Sequence, residues 1–214
     1  MTPAERAAPS DPLVVRHIEF LGGMAGKTDA SAPGKPWRPP VKLPEVAFAG
    51  RSNVGKSSLL NALVRRNAIA RVSKTPGRTR EINFFEVNGE FLLVDLPGYG
   101  YARVSKAARA AWRPLIEGYL HGTSALRGLV LLLDVRRDPT PEDEQMLGFL
   151  AERGIPVLVA ITKIDKLTAR AAAERVEQLT SMLGLEPDQV VPFSAVTGAG
   201  RDELAAAVVD LVTG

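Results

Sequence analysis

The stretch Val46-Ala47-Phe48-Ala49-Gly50-Arg51-Ser52-Asn53-Val54-Gly55-Lys56-Ser57 decides the fold. Its first four residues are apolar and predict a buried strand. The remainder matches the pattern G-x-x-x-x-G-K-[ST], which opens a helix that we predict from about Lys56 to Arg65. In this context glycines let the backbone surround an anion, and the helix N-terminus adds partial positive charge. An ordinary strand-to-helix turn is the alternative.

This loop is therefore a candidate phosphate cradle. We expect Lys56 to reach the β- and γ-phosphates of a nucleotide and the Ser57 hydroxyl to ligate Mg²⁺. The candidate nucleotide-binding residues here are Gly50, Arg51, Ser52, Asn53, Val54, Gly55, Lys56 and Ser57.

Apolar runs and amphipathic stretches alternate downstream of the cradle. Asn88-Gly89 predicts a hairpin between strands at 81–87 and 91–95, and continuous apolar runs predict buried strands at 128–135, 156–161 and 190–194. Helical periods predict helices at 103–120, 140–153, 168–183 and 201–212. The sequence thus predicts an α/β fold with a doubly wound, mostly parallel sheet and one antiparallel hairpin edge.

The N-terminal part of the chain has a different composition. Eight of the 16 prolines lie in the first 44 residues, which predicts a flexible arm over residues 1–43 ahead of one domain at 44–214. Within the arm, the short apolar segment from Leu13 to Leu21 is expected to dock onto the domain.

Composition excludes several classes of protein. The chain has 214 residues, of which 45% are apolar and 24% charged, as in a soluble globular protein. It has no cysteine, which excludes disulfides, thiolate zinc sites and cysteine nucleophiles. The apolar stretches, such as Leu129 to Leu133, are too short for a membrane span. Since residues 1–11 do not resemble a signal peptide, a cytoplasmic location is expected.

The segment Thr162-Lys163-Ile164-Asp165 indicates which base is bound. It follows an apolar run and so lies at the carboxyl end of a strand, where open α/β sheets bind ligands. A carboxylate at Asp165 can accept hydrogen bonds from the N1–H and the exocyclic amine of guanine, whereas adenine offers no such pair. Phe193-Ser194-Ala195, after the last strand, offers the Ala195 amide to the guanine carbonyl. In isolation, the segment from Thr162 to Asp165 would be better interpreted as an exposed loop.

Two further segments are candidate nucleotide sensors. In Asp95-Leu96-Pro97-Gly98, the carboxylate is expected to hold Mg²⁺ through water and the Gly98 N–H to contact the γ-phosphate. A proline turn is the alternative. In the loop from Lys74 to Thr79, Thr79 is the preferred second Mg²⁺ ligand and Thr75 its rival. The candidate contacts of this loop are Gly77, Arg78, Thr79, Arg80 and Glu81.

Taken together, these segments resemble the EngB (YihA/YsxC) family of bacterial ribosome-biogenesis GTP-binding proteins, within the translation-factor-related GTPases. Residues 44–63, 74–85, 95–102 and 162–165 carry the resemblance, which spans about residues 14–212. It implies a P-loop GTPase (Ras-like) three-layer sandwich, binding of GTP and GDP with Mg²⁺, and a role in assembling the large ribosomal subunit with a link to cell division and septation. Thr162 stands where many GTPases carry Asn, which weakens a strut to the phosphate cradle and lowers the expected affinity.

Hydrolysis is expected to be slow. Many GTPases place a water-orienting glutamine after D-x-x-G, and this chain has Tyr99 there. A partner could supply an arginine, or Asn53 could help to hold K⁺ near the phosphates, although Asn53 could equally be present only to permit a tight turn. The candidate catalytic residues are Lys56, Thr79 and Asn53.

Basic residues surround the cradle and the loops beside it. Residues 51–80 carry eight Lys or Arg and no acid, and residues 96–116 carry four more without an acid. This asymmetry favours binding to RNA phosphates. The family resemblance implies the large ribosomal subunit as the partner, through its RNA or its proteins, and a monomer is expected. The alternatives are a GTPase that acts on a protein partner and an RNA-binding module that holds nucleotide without turnover.

Overall fold

The computed structural model describes residues 11–24, 28–29, 32–36, 38–66, 69, 81–100 and 106–214. The strands are β1 (Ile18–Met24), β2 (Thr28–Asp29), β3 (Ala32–Pro36), β4 (Glu45–Gly50), β5 (Ile82–Val87), β6 (Phe91–Asp95), β7 (Leu126–Asp134), β8 (Val157–Thr162) and β9 (Val190–Phe193). The helices are α1 (Lys56–Leu63), α2 (Lys106–His121), α3 (Pro141–Glu152), α4 (Ala169–Leu183) and α5 (Arg201–Thr213).

Seven strands form one sheet in the order β1-β5-β6-β4-β7-β8-β9, and β2 pairs with β3 separately. Strands β6, β4, β7, β8 and β9 are mutually parallel, whereas β5 runs antiparallel to both β6 and β1. The predicted α/β fold with a mostly parallel sheet and an antiparallel edge is confirmed. One strand more than predicted lies at this edge, because β1 pairs outside the hairpin.

The sheet is covered on both faces, which explains why its central strands are apolar throughout. Alternate residues of β4 point to opposite sides, so that Phe48 packs with Leu60 of α1 and Val208 of α5. Ala47 packs on the other face, in the cluster that contains Tyr119 of α2. Burial on both sides replaces the polar–apolar alternation of a half-exposed strand with a continuous apolar run.

The segment before β1 is fastened to the domain by polar contacts. Arg201, buried at the start of α5, donates to the carbonyl oxygens of Leu63 (2.6 Å) and Leu13 (3.1 Å), and its guanidinium pairs with Asp11. The amide group of Asn88 in the hairpin turn donates to the Val14 carbonyl at 2.9 Å. These contacts hold residues 11–14 on the sheet side that α1 and α5 cover, while the domain boundary at residues 43 and 44 stays a prediction.

The topology creates a crevice beyond the carboxyl end of β4. After β4 the chain builds β6 on one side of it, and after β6 it crosses to β7 on the other side. Ligands of open α/β sheets bind where the strand order reverses in this way. Five parallel strands end along this rim, at Gly50, Asp95, Asp134, Thr162 and Phe193. Within the described part of the chain, no helix combines the length and the apolarity that crossing a membrane requires.

Candidate functional site

The loop between β4 and α1 has the backbone conformation of an anion cradle. Asn53 and Gly55 have φ values of 66° and 109°, both in the left-handed region, and Gly55 caps the N-terminus of α1. Asn adopts this region more readily than most residues, so the turn alone accounts for the presence of Asn53. The Val54 amide donates to the Arg51 carbonyl at 3.1 Å and closes the loop on itself.

The amide donors of this loop fit a phosphate group. The amides of Asn53, Gly55, Lys56 and Ser57 have no hydrogen-bond acceptor among the residues that the structure describes. The first amides of any helix lack an intrahelical acceptor, and here they follow a loop in which the amides of Asn53 and Gly55 also have no acceptor among the described residues. The Ser57 side chain lies half-buried on this first turn, where a hydroxyl can serve as a ligand of Mg²⁺. The residues present therefore suit a phosphate–Mg²⁺ group.

Lys56 and Asp95 meet at the mouth of the cradle. Their side chains are 11% and 7% exposed, and the Lys56 amine is paired with the Asp95 carboxylate. Asp95 is the last residue of β6, which lies beside β4, so the sheet register brings together two residues that are 39 positions apart. The pair supplies an ammonium for phosphate oxygens and a carboxylate for a hydrated cation.

The segment after Asp95 is bound to the cradle through its backbone. The Ser52 amide donates to the Tyr99 carbonyl at 2.8 Å, and the Tyr99 amide donates to the Gly50 carbonyl at 3.3 Å. A Cβ atom at Gly98 would lie 3.3 Å from the Ser52 backbone, so glycine is what allows this close approach. The D-x-x-G segment is therefore in place beside the phosphate loop. Leu96 and Pro97 are buried, and the Leu96 amide donates to the Phe48 carbonyl at 3.0 Å.

The Tyr99 side chain is directed to α3. Its hydroxyl donates to Oδ1 of Asp143 at 2.5 Å, and the residue is only 6% exposed. Burial raises the pKa of the Tyr99 phenol well above its ordinary value, and the Asp143 carboxylate adds to this effect. Because the neutral Tyr99 phenol is hydrogen-bonded to a buried carboxylate, it is not available to orient an attacking water.

The candidate base-reading loop, Thr162 to Asp165, is joined to the candidate phosphate cradle by the Thr162 side chain. This residue is buried, and its hydroxyl oxygen lies 2.7 Å from the Val54 carbonyl and 3.0 Å from the Leu133 carbonyl. A hydroxyl has a single proton, so it can donate to only one of these carbonyls at a time. The connection between this loop and the cradle, which we expected to be weaker with Thr than with Asn, is thus present. It depends on the single hydroxyl proton of Thr162.

Lys163 makes a second connection between the two loops. Its amine donates to the Asn53 carbonyl at 2.6 Å and to Oδ2 of Asp134 at 2.9 Å. Arg136 also binds Asp134, through two side-chain bonds of 2.7 and 2.9 Å. These bonds outweigh the effect of burial and hold the pKa of Asp134 far below its usual value. Asp134 is 7% exposed and stays ionised.

Sequence reasoning did not identify Asp134 as part of this site. The available signal was its position, because it is an acidic residue that directly follows the apolar run of β7. Asp95 and Asp165 were noticed because each belongs to a recognisable motif. Asp134 has no such motif around it, and its contact with Lys163 depends on the pairing of β7 with β8.

Ser194 holds the carboxylate of Asp165. The Ser194 hydroxyl is fully buried and donates to Oδ1 of Asp165 at 2.7 Å, while the Lys166 amine lies 3.0 Å from Oδ2. The hydrogen bond from Ser194, followed by that from Lys166, lowers the pKa of Asp165 below its ordinary value. Ser194 in turn accepts from the amides of Val196 and Thr197, each at 3.2 Å.

The loop after β9 is therefore built around the Ser194 side chain. The Ala195 amide has no acceptor among the described residues, and its expected use as a donor to a ligand carbonyl stays a prediction. Phe193 is buried beneath this loop. Asp165 lies in a short 3-10 turn that begins at Ile164. Lys163, which precedes this turn, has a φ of 62°.

Among the remaining predicted contacts, the structure describes Glu81 and Arg51. Thr75, Gly77, Arg78, Thr79 and Arg80 fall outside the described residues. Glu81 directly precedes β5, and its carboxylate occupies the space beside Gly23 of β1. Arg51 pairs its backbone with that of Tyr99, and its guanidinium lies against Gly100, where a Cβ atom would be 2.8 Å from Nε.

The chain is similar to known GTP-binding proteins. A family model described as 50S ribosome-binding GTPase matches residues 45–163, and the elongation factor Tu GTP binding domain matches residues 116–213. Probable GTP-binding protein EngB of Gemmatimonas aurantiaca is 62% identical over 94% of this chain and 95% of its own length.

Two solved structures extend the comparison. The crystal structure of a probable GTP-binding protein EngB, 26% identical, superposes with a TM-score of 0.67 over 78% of this chain and 98% of that one. Era in complex with MgGDPNP and nucleotides 1506-1542 of 16S ribosomal RNA is 25% identical, with a TM-score of 0.63 over 81% of this chain and 58% of that one.

Proposed function

We propose, from the premise that this chain belongs to the EngB family of GTP-binding proteins, that it is a Mg²⁺-dependent GTP switch that assists assembly of the large ribosomal subunit. Membership of this family makes the chain a GTPase. The assembly role, its timing and the partner surface are the proposed part.

One observation carries the nucleotide assignment, namely that the two ends of the site are joined. Thr162 and Lys163 bind the cradle carbonyls of Val54 and Asn53, which fixes the position of Asp165 relative to Lys56. A carboxylate at one end and an ammonium with free amides at the other suit guanine and phosphate, respectively.

The cation would be held mainly by hydroxyl and carboxylate oxygens of this chain. Ser57 and Thr79 are the proposed direct ligands, and Asp95 binds through water. When bound, Mg²⁺ neutralises charge on the phosphate oxygens. Support for its use comes from the solved structure of Era, which contains MgGDPNP.

We propose that hydrolysis by the isolated protein is slow. The Tyr99 phenol is bound to Asp143, so the chain offers no glutamine-like group at this position to orient water. The positive charge that hydrolysis needs is supplied either by an arginine of a partner or by K⁺ bound with the help of Asn53. Single-turnover rates in matched KCl and NaCl test the second route, and equal rates would eliminate it.

The ribosomal part of the proposal has two kinds of support. The matching family model is described as a 50S ribosome-binding GTPase, and Era was solved with ribosomal RNA. In this chain, residues 51–80 carry eight basic residues and no acid, which suits RNA phosphate. Ribosome assembly also places the proposed site of action in the cytoplasm, and the link to cell division and septation is part of the same proposal.

Co-sedimentation with purified ribosomal subunits tests this role. We expect binding to the large subunit with GDPNP, much weaker binding with GDP, and a steep decline with salt. A protein that sediments with neither subunit in any nucleotide state would favour the GTPase that acts on a protein partner. Binding without phosphate release, even with ribosomes present, would favour the RNA-binding module.

A pair of charge-reversal variants makes the experiment more specific. The double variant Arg71→Glu with Lys74→Glu lies within the basic stretch, and Arg127→Glu with Arg170→Glu has the same charge change outside it. Arg127 and Arg170 are both exposed. We expect only the first double variant to lose binding to the large subunit, and an equal loss in both would indicate a response to net charge alone.

A further inference from the structure

Tyr99 joins three parts of the molecule. It directly follows Gly98, whose N–H is the proposed γ-phosphate contact. Its backbone is paired with the cradle on both sides, through the bonds to Gly50 and Ser52. Its side chain leaves the cradle and reaches α3.

On α3, the partner of Tyr99 is also the residue that caps the helix. Oδ2 of Asp143 accepts from the Thr140 amide at 2.8 Å and from the Thr140 hydroxyl at 2.7 Å, and Oδ1 accepts from Tyr99. Asp143 is 1% exposed, so both oxygens depend on these donors. The carboxylate is therefore held rigidly by the helix N-terminus and offers Tyr99 a fixed attachment point.

These contacts determine the orientation of one peptide group. Two backbone bonds hold the Tyr99 main chain on the cradle, and the phenol bond ties the same residue to α3. The Gly98–Tyr99 peptide then has a defined plane. The Gly98 N–H belongs to the preceding Pro97–Gly98 peptide, and it is positioned through the Gly98 Cα, which is packed closely on the Ser52 backbone. A donor that is oriented before the ligand arrives loses less entropy on binding.

We propose that Tyr99 and Asp143 are positioning residues that orient the Gly98 N–H for the γ-phosphate, so that their hydrogen bond sets the preference of the site for GTP over GDP. The inference rests on the proposed nucleotide site. It assigns to Tyr99 a role in sensing the triphosphate, in place of the role in water activation that glutamine has at this position elsewhere.

The ratio of two affinities tests this role. We expect Tyr99→Phe to bind GDPNP about fivefold more weakly while its affinity for GDP is unchanged, because only the triphosphate uses the Gly98 N–H. Isothermal titration calorimetry with both nucleotides in the presence of Mg²⁺ gives the ratio. A general loss of structure would weaken both nucleotides and leave the ratio unaltered.

Tyr119 provides a matched control. It is also buried, and its hydroxyl donates to the buried carboxylate of Glu45 at 2.8 Å, at the far end of β4 from the cradle. Tyr119→Phe therefore removes the same kind of bond, and we expect its GDPNP-to-GDP ratio to equal that of the wild type. The same shift in both variants would overturn the proposal.

Variants of Asp143 provide a second line of evidence if Tyr99→Phe folds poorly. Asp143→Asn can still accept from Tyr99 and is expected to keep the ratio, although it gives up a bond to Thr140. Asp143→Ala removes the acceptor and is expected to change the ratio as Tyr99→Phe does, with no further change in the double variant. A ratio unchanged in Asp143→Ala would overturn the proposal.

The outcomes also separate this inference from the proposed function. Wild-type protein that binds neither nucleotide would overturn both. Wild-type protein that binds both nucleotides, with an unchanged ratio in Tyr99→Phe, would overturn the inference alone.

Discussion

The two ends of the candidate site are built in different ways. The phosphate end, Gly50 to Ser57, is one continuous segment whose useful groups are mostly backbone amides. The base end is assembled from side chains that follow three different strands, namely Asp134, Thr162 to Asp165, and Ser194. A main-chain site follows from local conformation, whereas a side-chain site requires the strands to be aligned first.

This difference predicts how substitutions at each end should lower the affinity for nucleotide. Amide donors are retained in almost every substitution, so the phosphate end depends mainly on the Lys56 side chain and on its glycines. At the base end the side chains are hydrogen-bonded to one another. Single substitutions there should therefore reduce nucleotide affinity by different amounts. The predictions below test that contrast.

The largest effect is expected for Lys56→Met. The variant loses the ammonium that pairs with Asp95 at the mouth of the cradle, and it leaves that buried carboxylate without its partner. We expect affinity for GDP and GDPNP to fall about a thousandfold, measured with a fluorescent nucleotide. Arg170→Met, at a side chain that is 90% exposed, is the control. A small loss would show that amides alone suffice for phosphate binding.

Asp165→Asn should change which base is accepted. An amide can accept from N1–H and donate to a carbonyl at C2, which is the pattern of xanthine and not of guanine. We expect affinity for GDP to fall about a hundredfold and affinity for xanthosine diphosphate to rise. Competition between the two nucleotides measures the exchange. If the variant kept its preference for GDP, the base would be read by another group.

Ser194→Ala should have an intermediate effect. It removes the bond to Asp165 and the acceptor for two amides, so the carboxylate is less well placed. Because the pKa of Asp165 would only return toward its ordinary value, the group stays ionised at pH 7 and the loss reflects position. We expect about tenfold weaker GDP binding by calorimetry. Equal losses for GDP and ADP would contradict a role in reading the base.

Thr162→Val tests the link between the two ends. The substitution nearly preserves shape but removes the donor to the buried carbonyls of Val54 and Leu133. We expect the free energy of unfolding to fall by about 1 kcal/mol in urea titrations, with a severalfold loss of GDP affinity. Thr180→Val, whose hydroxyl donates within α4 at 2.8 Å, is the control for helix effects. Unchanged GDP affinity would show that Lys163 alone couples the loops.

A change of pH between 5 and 8 is expected to have no effect on the preference for guanine. The pKa of Asp165 is lowered, so its ionised form persists until pH falls through that lowered value, below the ordinary 3.8. The ratio of affinities for GDP and inosine diphosphate cancels phosphate titration and should be constant from pH 5 to 8. A ratio that declined within this range would mean that the carboxylate titrates there and is not held by Ser194 and Lys166.

Much of the site could be predicted because its motifs are local. The pattern from Gly50 to Ser57 predicted the cradle, and Asp165 was found from its place after an apolar run. Asp134 and the hydroxyl of Ser194 were not assigned their roles, since nothing near them in the sequence marks Lys163 and Asp165 as their partners. Strand β1 was also missed, because its Gly22 and Gly23 and the prolines around it obscure a strand whose pairing with β5 is long-range.

The sequence by itself determined the α/β class, the phosphate loop and the choice of guanine as the expected base, because each follows from residue types a few positions apart. Only the tertiary structure decided that Tyr99 binds Asp143, that Thr162 and Lys163 hold the cradle, and that Ser194 orients Asp165. Those pairs are 29 to 110 residues apart along the chain. Hydrogen bonds of that range exist only after the sheet register has brought the strand ends together, so no local pattern can encode them.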